Sequence, residues 1–238
     1  PYEWDNKTSP QTIAIICAGN IPMVGFHDIL CTLITGNIAY IKLSSDDARL
    51  IPLFLFLLMK WEPSMKNQIQ WAEGKMSNFD KVIATGNNNT LRYFEAYFGK
   101  YPHILRHSRT SVAILDGSET MEELALLGQD IFDYFGLGCR NVCKLFLPNG
   151  YDLNQVIAAL LPFQEVAKHN KYANNYDYQL SLLLLNNIKY MSSESTLLIE
   201  QNAFFSPIGM LYYEHYVDEN SLIERLKQED AIQCIVGK

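Results

Sequence analysis

Residues 12–18 read Thr-Ile-Ala-Ile-Ile-Cys-Ala and run straight into Gly19-Asn20-Ile21-Pro22. A short, unbroken, Ile-rich run stopped by Gly-Asn is the pattern of a strand buried on both faces. Pro22 suits the first turn of a helix, so a helical stretch is expected from there through Ile34, closed by Thr35-Gly36-Asn37. Ile38–Leu43 is the next strand, and Ser44-Ser45-Asp46-Asp47 supplies N-cap candidates for a helix to about Trp61. Further out come strands at Ile69–Ala72 and Lys81–Ala84, a turn at Thr85-Gly86-Asn87, and a helix over Thr90–Phe98. Strands alternating with helices at this spacing specify an α/β unit with a mainly parallel sheet.

The texture changes after Tyr101-Pro102. Strands are predicted at Ser111–Leu115, Lys144–Leu147, Thr196–Glu200, Ile208–Tyr213 and Ile232–Val236. Helices are predicted at Thr120–Tyr134, Asp152–Val166, Tyr178–Asn186 and Ser221–Glu229, and Gly136-Leu137-Gly138-Cys139 is a loop. A domain crossover is expected near His107–Ser111, giving domains 1–107 and 108–238. The sequence holds no internal repeat and no low-complexity segment.

With 238 residues, 48% of them hydrophobic, the chain can bury one large core or two modest ones. A net charge of −7 with no long Lys/Arg block argues against a nucleic-acid partner. Five scattered cysteines, an odd number, fit free thiols in a reducing, cytoplasmic compartment. The apolar run Ile51–Met59 is far short of the roughly 20 residues that span a bilayer and is expected as a buried helix. The opening Pro1-Tyr2-Glu3-Trp4 shows no cationic region or cleavage site, so no signal peptide is expected and the chain is read as starting inside a longer protein.

Several residues could carry chemistry. Cys139 follows Gly136 and Gly138, which allow a ligand close to the backbone. A thiolate attacks carbonyl carbon, and Arg140 beside it would favour the charged form; a lone cysteine is more often a half-buried structural residue. Asn20 sits where a parallel strand ends, the place where α/β sheets bind ligands. Its amide could donate to an oxyanion, a contribution worth about 3 kcal/mol elsewhere, or simply cap a turn. Lys42 ends the second strand and could reach a ribose or phosphate, or be a solvated strand end. Thr85-Gly86-Asn87 joins strand to helix, a shape that can present N–H groups to a pyrophosphate. There is no G-x-G-x-x-G and no P-loop. His103 and His107 lack companions for a metal site, so no metal is expected. Cys139 and Cys143 do not form C-x-x-C. Asp177, in the polar segment 171–178, could line a pocket or cap a helix.

These pieces occur in an order that resembles the aldehyde dehydrogenase superfamily. Ile-Cys-Ala-Gly-Asn-Ile-Pro (16–22) is similar to its P-W-N-x-P strand end, and Thr35-Gly36-Asn37 through Lys42 to its T-G-N-…-K strand. Ala84-Thr85-Gly86-Asn87 stands for F-T-G-S. Gly136-Leu137-Gly138-Cys139, with Lys144 five residues on, parallels G-Q-x-C-x-x-x-x-R, and Phe205-Ser206-Pro207 resembles the end of E-x-F-G-P. The segments AGNIPMVGFHDIL (18–30), 81–106, DIFDYFGLGCRNVCKLFLP (130–148) and HNKYANNYDY (169–178) are closer still to the acyl-CoA reductases related to the acyl reductase of bioluminescence. Single motifs are weak; five in the correct order are specific, and the similarity covers essentially the whole chain.

The resemblance implies an aldehyde dehydrogenase-like α/β fold, with a partial Rossmann-type cofactor domain (1–107) and a smaller α/β catalytic domain (108–238) truncated at its C-terminus. It implies Cys139 as nucleophile and Asn20 as oxyanion donor. Cofactor contacts fall to Lys42, Ser45, Thr85, Gly86, Asn87 and Phe205. The activity implied is reduction of an acyl-CoA or acyl-carrier thioester to an aldehyde through an acyl-cysteine, in a protein that forms a homo-oligomer.

Departures from the pattern refine this. The E-L-G-G loop should fall near Leu105-Arg106-His107, so its general-base Glu is missing, and the E-x-F-G-P glutamate position is Ala203. Without a base to activate water, an acyl-enzyme resists hydrolysis. Ser45 stands where NAD-preferring relatives often carry Glu, which lifts a repulsion against a 2′-phosphate and points to NADPH, with NADH the alternative; Ser45 could instead cap the next helix. His107 is the candidate proton donor on chemistry alone. A hydrolytic aldehyde dehydrogenase is the rival enzyme and would need an acid such as Glu119 near Cys139. A fold homologue that only binds a partner is the rival from another class.

Overall fold

The structure is a computed structural model describing residues 9–86 and 88–237. It divides into two compact units, Pro1–Ser108 and Arg109–Lys238.

In the first unit the elements are β1 (Thr12–Ile16), α1 (Phe26–Ile34), β2 (Ile38–Lys42), α2 (Leu50–Trp61), β3 (Ile69–Trp71), β4 (Lys81–Thr85), α3 (Asn88–Phe98) and β5 (His103–Arg106). All five strands pair in parallel in the order β3-β2-β1-β4-β5. Side-chain alternation explains the layering. Ile13 and Ile15 point to one face and pack with Ile29 and Leu33 of α1 and Ile51 and Leu55 of α2. Ala14 points to the other face with Val82 and Ala84, under Phe94 and Phe98 of α3. The chain steps outward from β1 to β2 and β3, then returns to β4 on the opposite side. The β1/β4 boundary is therefore a topological switch point, the position where doubly wound sheets open a crevice at their carboxyl ends.

Three expectations need correction here. The helix predicted from Pro22 begins only at Phe26; residues 21–25 form turns instead. There Met23 adopts a φ of 60° and its N–H donates to Asp47 Oδ2 at 2.6 Å. The helix over Ile51–Met59 exists but is not buried: only Ile51 and Leu55 of α2 are covered, while Leu53 and Phe56 are 58% and 52% exposed. Phe54, Leu58 and Met59 are partly buried against the same core, while Leu53, Phe56 and Leu57 face outward. Strand β5 was not anticipated. It is an exposed edge strand without apolar alternation.

The second unit carries β6 (Thr110–Ile114), α4 (Met121–Phe132), β7 (Val142–Pro148), α5 (Leu153–Leu160), α6 (Asn170–Leu185), β8 (Met191–Ser192), β9 (Leu197–Glu200), β10 (Met210–Tyr216), α7 (Glu219–Lys227) and β11 (Ile232–Val236). Its sheet runs β11-β6-β7-β10-β9-β8, parallel except for the short β8. Leu145 and Leu147 of β7 face α4 and α5 through Leu124, Leu127, Ile131 and Leu160. Phe146, on the other face, packs with Val112, Leu222 and Leu226 beneath α7. A capping box starts α4: Thr120 Oγ1 accepts the Glu123 N–H, and Glu123 Oε2 accepts the Thr120 N–H. Helix α6 begins earlier than the sequence indicated, and the polar segment 171–178 is its first half. Asp177 is an exposed mid-helix residue, neither a cap nor a pocket wall.

Candidate active site

Cys139 lies in the turn that joins α4 to β7. Beyond α4, Tyr134, Phe135 and Gly136 adopt φ values of 52°, 59° and 70° in succession. Three consecutive left-handed residues reverse the chain sharply, a costly path for the two that carry side chains. A β-turn then closes with the Asn141 N–H donating to the Gly138 carbonyl at 3.1 Å. Cys139 and Arg140 occupy its corners, both exposed. Asn141 is 6% exposed. Its Oδ1 accepts the Gly138 N–H at 2.7 Å, and its Nδ2 donates to the Asp130 and Asp133 carbonyls, both at 2.9 Å. Ser111, at the start of β6, donates from Oγ to the Cys139 carbonyl at 3.1 Å and from its N–H to the Asn141 carbonyl at 3.2 Å. Sequence reading missed both residues. Asn141 was visible only as a neighbour of the thiol, and Ser111 reaches it solely through the β6/β7 register.

Lys144, five residues after Cys139, is fully buried on the α7 face of the sheet. Its Nζ donates to Glu214 Oε2 at 2.5 Å and to the Asn202 carbonyl at 2.9 Å, and it lies over the rings of Phe146 and Phe204. Burial lowers the lysine's pKa against the pull of Glu214. Lys144 thereby ties the segment preceding Phe205 to the strand that follows Cys139. Phe205 is 41% exposed, Ser206 donates to the Met210 carbonyl at 2.8 Å, and Ala203 at the missing-glutamate position is exposed.

Glu119 does not stand near the thiol. It accepts the Asp116 N–H at 2.5 Å and the Tyr151 hydroxyl at 3.2 Å, beyond the carboxyl ends of β6 and β7. Cys139 precedes the amino end of β7. That strand's seven residues, at about 3.3 Å each, separate the two by roughly 20 Å, too far for a water bridge. Burial and Glu119 itself raise the Tyr151 pKa.

In the first unit the parallel topology brings the remaining candidates to one edge. Ile16 pairs with both Lys42 and Ala84, and Thr85 with Arg106. The carboxyl ends of β2, β1, β4 and β5 are thus level, and Asn20, Lys42, Ser45, Thr85 and Gly86 lie on or just beyond them. Asn20 is exposed; Lys42 is exposed and donates to the Gly74 carbonyl at 3.3 Å. Ser45 is exposed, and the cap of the turn that follows is Ser44, whose Oγ accepts the Asp46 N–H at 3.3 Å. Thr85 and Gly86 are half-buried at the switch point, where the chain enters α3. A Cβ on Gly86 would lie 3.1 Å from Thr90, so the absence of a side chain lets strand and helix join closely. Asn87 lies outside the described residues.

Two glycines let the Asn20 loop sit down. A Cβ on Gly19 would come within 2.3 Å of Ser44 Oγ, and one on Gly25 within 2.2 Å of Cys17 Sγ. Cys17 is buried, and burial together with the Asp28 and Asp47 carboxylates pushes its thiol up to about 12. Arg106, where a general-base Glu would be expected, pairs with buried Asp28 at 2.8 Å. His107 is half-buried. Among the described residues no group of three or more His, Cys, Asp or Glu side chains could hold a metal ion, and no helix is long and apolar enough to cross a membrane.

Comparison with known proteins follows the same lines. Among solved structures, an aldehyde dehydrogenase from Bacillus cereus, solved as its NAD+ complex, superposes with a TM-score of 0.65 at 15% identity over 90% of this chain and 52% of its own. HpcC from Thermus thermophilus gives 0.68 at 13% identity over 90% and 52%. The fold is that of the aldehyde dehydrogenases. A long-chain acyl-protein thioester reductase from Photorhabdus laumondii is 23% identical over 96% of this chain and 54% of its own, so the chain spans about half the length of that curated relative. The family model described as acyl-CoA reductase (LuxC) matches residues 3–161, and the chain belongs to that family.

Proposed function

We propose that the protein reduces an acyl-CoA or acyl-carrier thioester to an aldehyde through a covalent intermediate on Cys139, using a nicotinamide cofactor, NADPH in preference to NADH. The observation that carries this reading is the exposed corner position of Cys139 in a clasped turn with Glu119 about a strand's length away. The thiol is presented for attack, and the carboxylate that would drive acid formation is remote.

The Cys139 thiolate attacks the thioester carbonyl, and the carrier thiolate departs. The Cys139 N–H is assigned as a donor to the resulting oxyanion, and Asn20 in the first unit is the residue that the family pattern assigns to the same role. The first unit supports a dinucleotide by its topology: β4 enters α3 through Gly86 at the switch point, with Lys42 and Ser45 at the carboxyl end of β2. In the first unit, Lys42, Ser45, Thr85, Gly86 and Asn87 are the residues assigned to hold it. When bound, the cofactor supplies the hydride that turns the acyl-cysteine into a thiohemiacetal. Cys139 then leaves as thiolate, releasing aldehyde. Ser45 carries no charge to repel a 2′-phosphate, which supports NADPH. Five free cysteines support a cytoplasmic setting.

Incubating the intact protein with a panel of acyl-CoAs and either NADPH or NADH, followed by absorbance loss, tests the activity. Mass spectrometry of the acylated protein should place the adduct on Cys139, and Cys139→Ala should abolish it. Asn20→Ala should cut turnover while sparing cofactor binding. Release of fatty acid rather than aldehyde would overturn the reductase assignment, and an unreactive Cys139 would favour a non-catalytic binding role.

A further inference from the structure

We infer that Asn141 and Ser111 are positioning residues that aim Cys139; this rests on Cys139 being the nucleophile. Two peptide planes flank this residue. The Gly138–Cys139 peptide carries the Gly138 carbonyl and the Cys139 N–H on opposite sides, because the unit is planar and trans. The Gly138 carbonyl accepts the Asn141 N–H inside the turn at 3.1 Å, so the Cys139 N–H must face outward, away from the turn. The same Gly138 is held from behind, its N–H donated to Asn141 Oδ1 at 2.7 Å. The Cys139–Arg140 peptide is held on its other side, the Cys139 carbonyl accepting the Ser111 hydroxyl at 3.1 Å. With both planes pinned, φ and ψ of Cys139 have little freedom. The Cα–Cβ bond that carries the sulfur and the N–H therefore keep a constant relation, and only χ1 is left to set the sulfur.

The two clasping residues are themselves anchored. Ser111 is fully buried in β6, and Asn141 is secured by the Asp130 and Asp133 carbonyls at the end of α4. The left-handed path from Tyr134 to Gly136 turns the chain back so that Asn141 reaches these carbonyls. Helix α4 and strand β6 thus hold the turn from opposite directions. A thiol on a loose loop would gain no such preorganisation. Held this way, the backbone that carries nucleophile and oxyanion donor is preorganised, in a setting where misplacement by about 1 Å costs on the order of 100-fold in rate.

The test uses the intact protein and measures single-turnover acylation by a long-chain acyl-CoA, NADPH affinity and thermal melting. Ser111→Ala removes one hydroxyl and leaves the backbone bond from residue 111 to Asn141. It should slow acylation on the order of 10- to 100-fold, with NADPH affinity and the cooperative melt unchanged. Ser111→Thr keeps the hydroxyl and should recover most of the rate. Asn141→Ala should slow acylation further, and if it does not fold, Ser111→Ala decides the matter. Wild-type acylation by Ser111→Ala, or an equal loss in Ser111→Ala and Ser111→Thr, overturns the inference. Acylation that persists in Cys139→Ala instead overturns the nucleophile assignment, a separate and distinguishable result.

Discussion

Lys144 Nζ lies 2.5 Å from Glu214 Oε2, with the lysine side chain wholly shielded and the glutamate side chain 20% exposed. Arg225 reaches the other carboxylate oxygen at 2.9 Å. One carboxylate therefore answers two cations, one of them inside the sheet packing. Removing either partner of such a pair has unequal consequences. Glu214→Gln strands a buried ammonium and should cost about 3–5 kcal/mol in urea unfolding. Lys144→Met leaves Glu214 still paired with Arg225 and partly solvated, so its cost should be smaller. The reverse ranking would mean that Lys144 does not depend on Glu214 for its charge.

The same pair predicts an acid-sensitive contribution. Burial alone would raise the Glu214 pKa, but the hydrogen bonds and charges of Lys144 and Arg225 outweigh it and hold the carboxyl below its ordinary value. A depressed carboxylate stabilises the fold above the ordinary carboxylate range and loses that contribution as pH falls through its folded value. The stability gap between wild type and Glu214→Gln should therefore narrow on acidification below that range. A gap that stays constant would contradict this.

Thiol labelling should separate the cysteines by environment. Cys139 and Cys31 are exposed, whereas Cys17 is buried with its thiol pushed up to about 12. At neutral pH, iodoacetamide should modify Cys139 and Cys31 in the folded protein and reach Cys17 only after denaturation. Peptide mass mapping over time checks the order. Equal labelling of Cys17 and Cys139 would refute it.

Gly25→Ala should destabilise the first unit. Its Cβ would lie 2.2 Å from Cys17 Sγ and 2.8 Å from Cys17 Cβ, an overlap of the kind that costs about 1–3 kcal/mol. Adding Cys17→Ala removes the sulfur and should recover part of the loss, a coupling that a double-mutant cycle measures directly. Additive effects would show that the two positions do not touch.

Tyr134 is 61% exposed yet holds a left-handed φ of 52°. Asn tolerates that region better, so Tyr134→Asn should raise stability by up to about 1 kcal/mol in chemical denaturation. A loss of stability would mean that the tyrosine ring contributes more than its backbone costs.

The elements with strong local signals were legible without coordinates. Thr12–Ile16 is a strand because its apolar run is short and punctuated, and Met121–Phe132 is a helix because its cap and periodicity agree. The order of motifs also carried the family. Elements lacking a local signal were not visible: β5 shows no apolar alternation, β8 is two residues long, and the first half of α6 buries only Tyr172 amid polar neighbours. Composition misled at α2, since apolar content measures what a helix could bury and says nothing of what lies against it.

For the candidate site the division follows range. Residue order alone marked Cys139, Asn20, Lys42 and Thr85-Gly86 as chemistry-bearing residues, because each sits next to a turn or strand end that the local pattern defines. Strand pairing decided what surrounds them. The β6/β7 register brings Ser111 to the Cys139 carbonyl, 28 positions away, and the length of β7 carries Glu119 to the far end of the sheet. The buried charge of Lys144 depends on Glu214, 70 positions on. Such partners are set by hydrogen-bond register and side-chain packing between distant segments, and neither leaves a trace in the local sequence pattern.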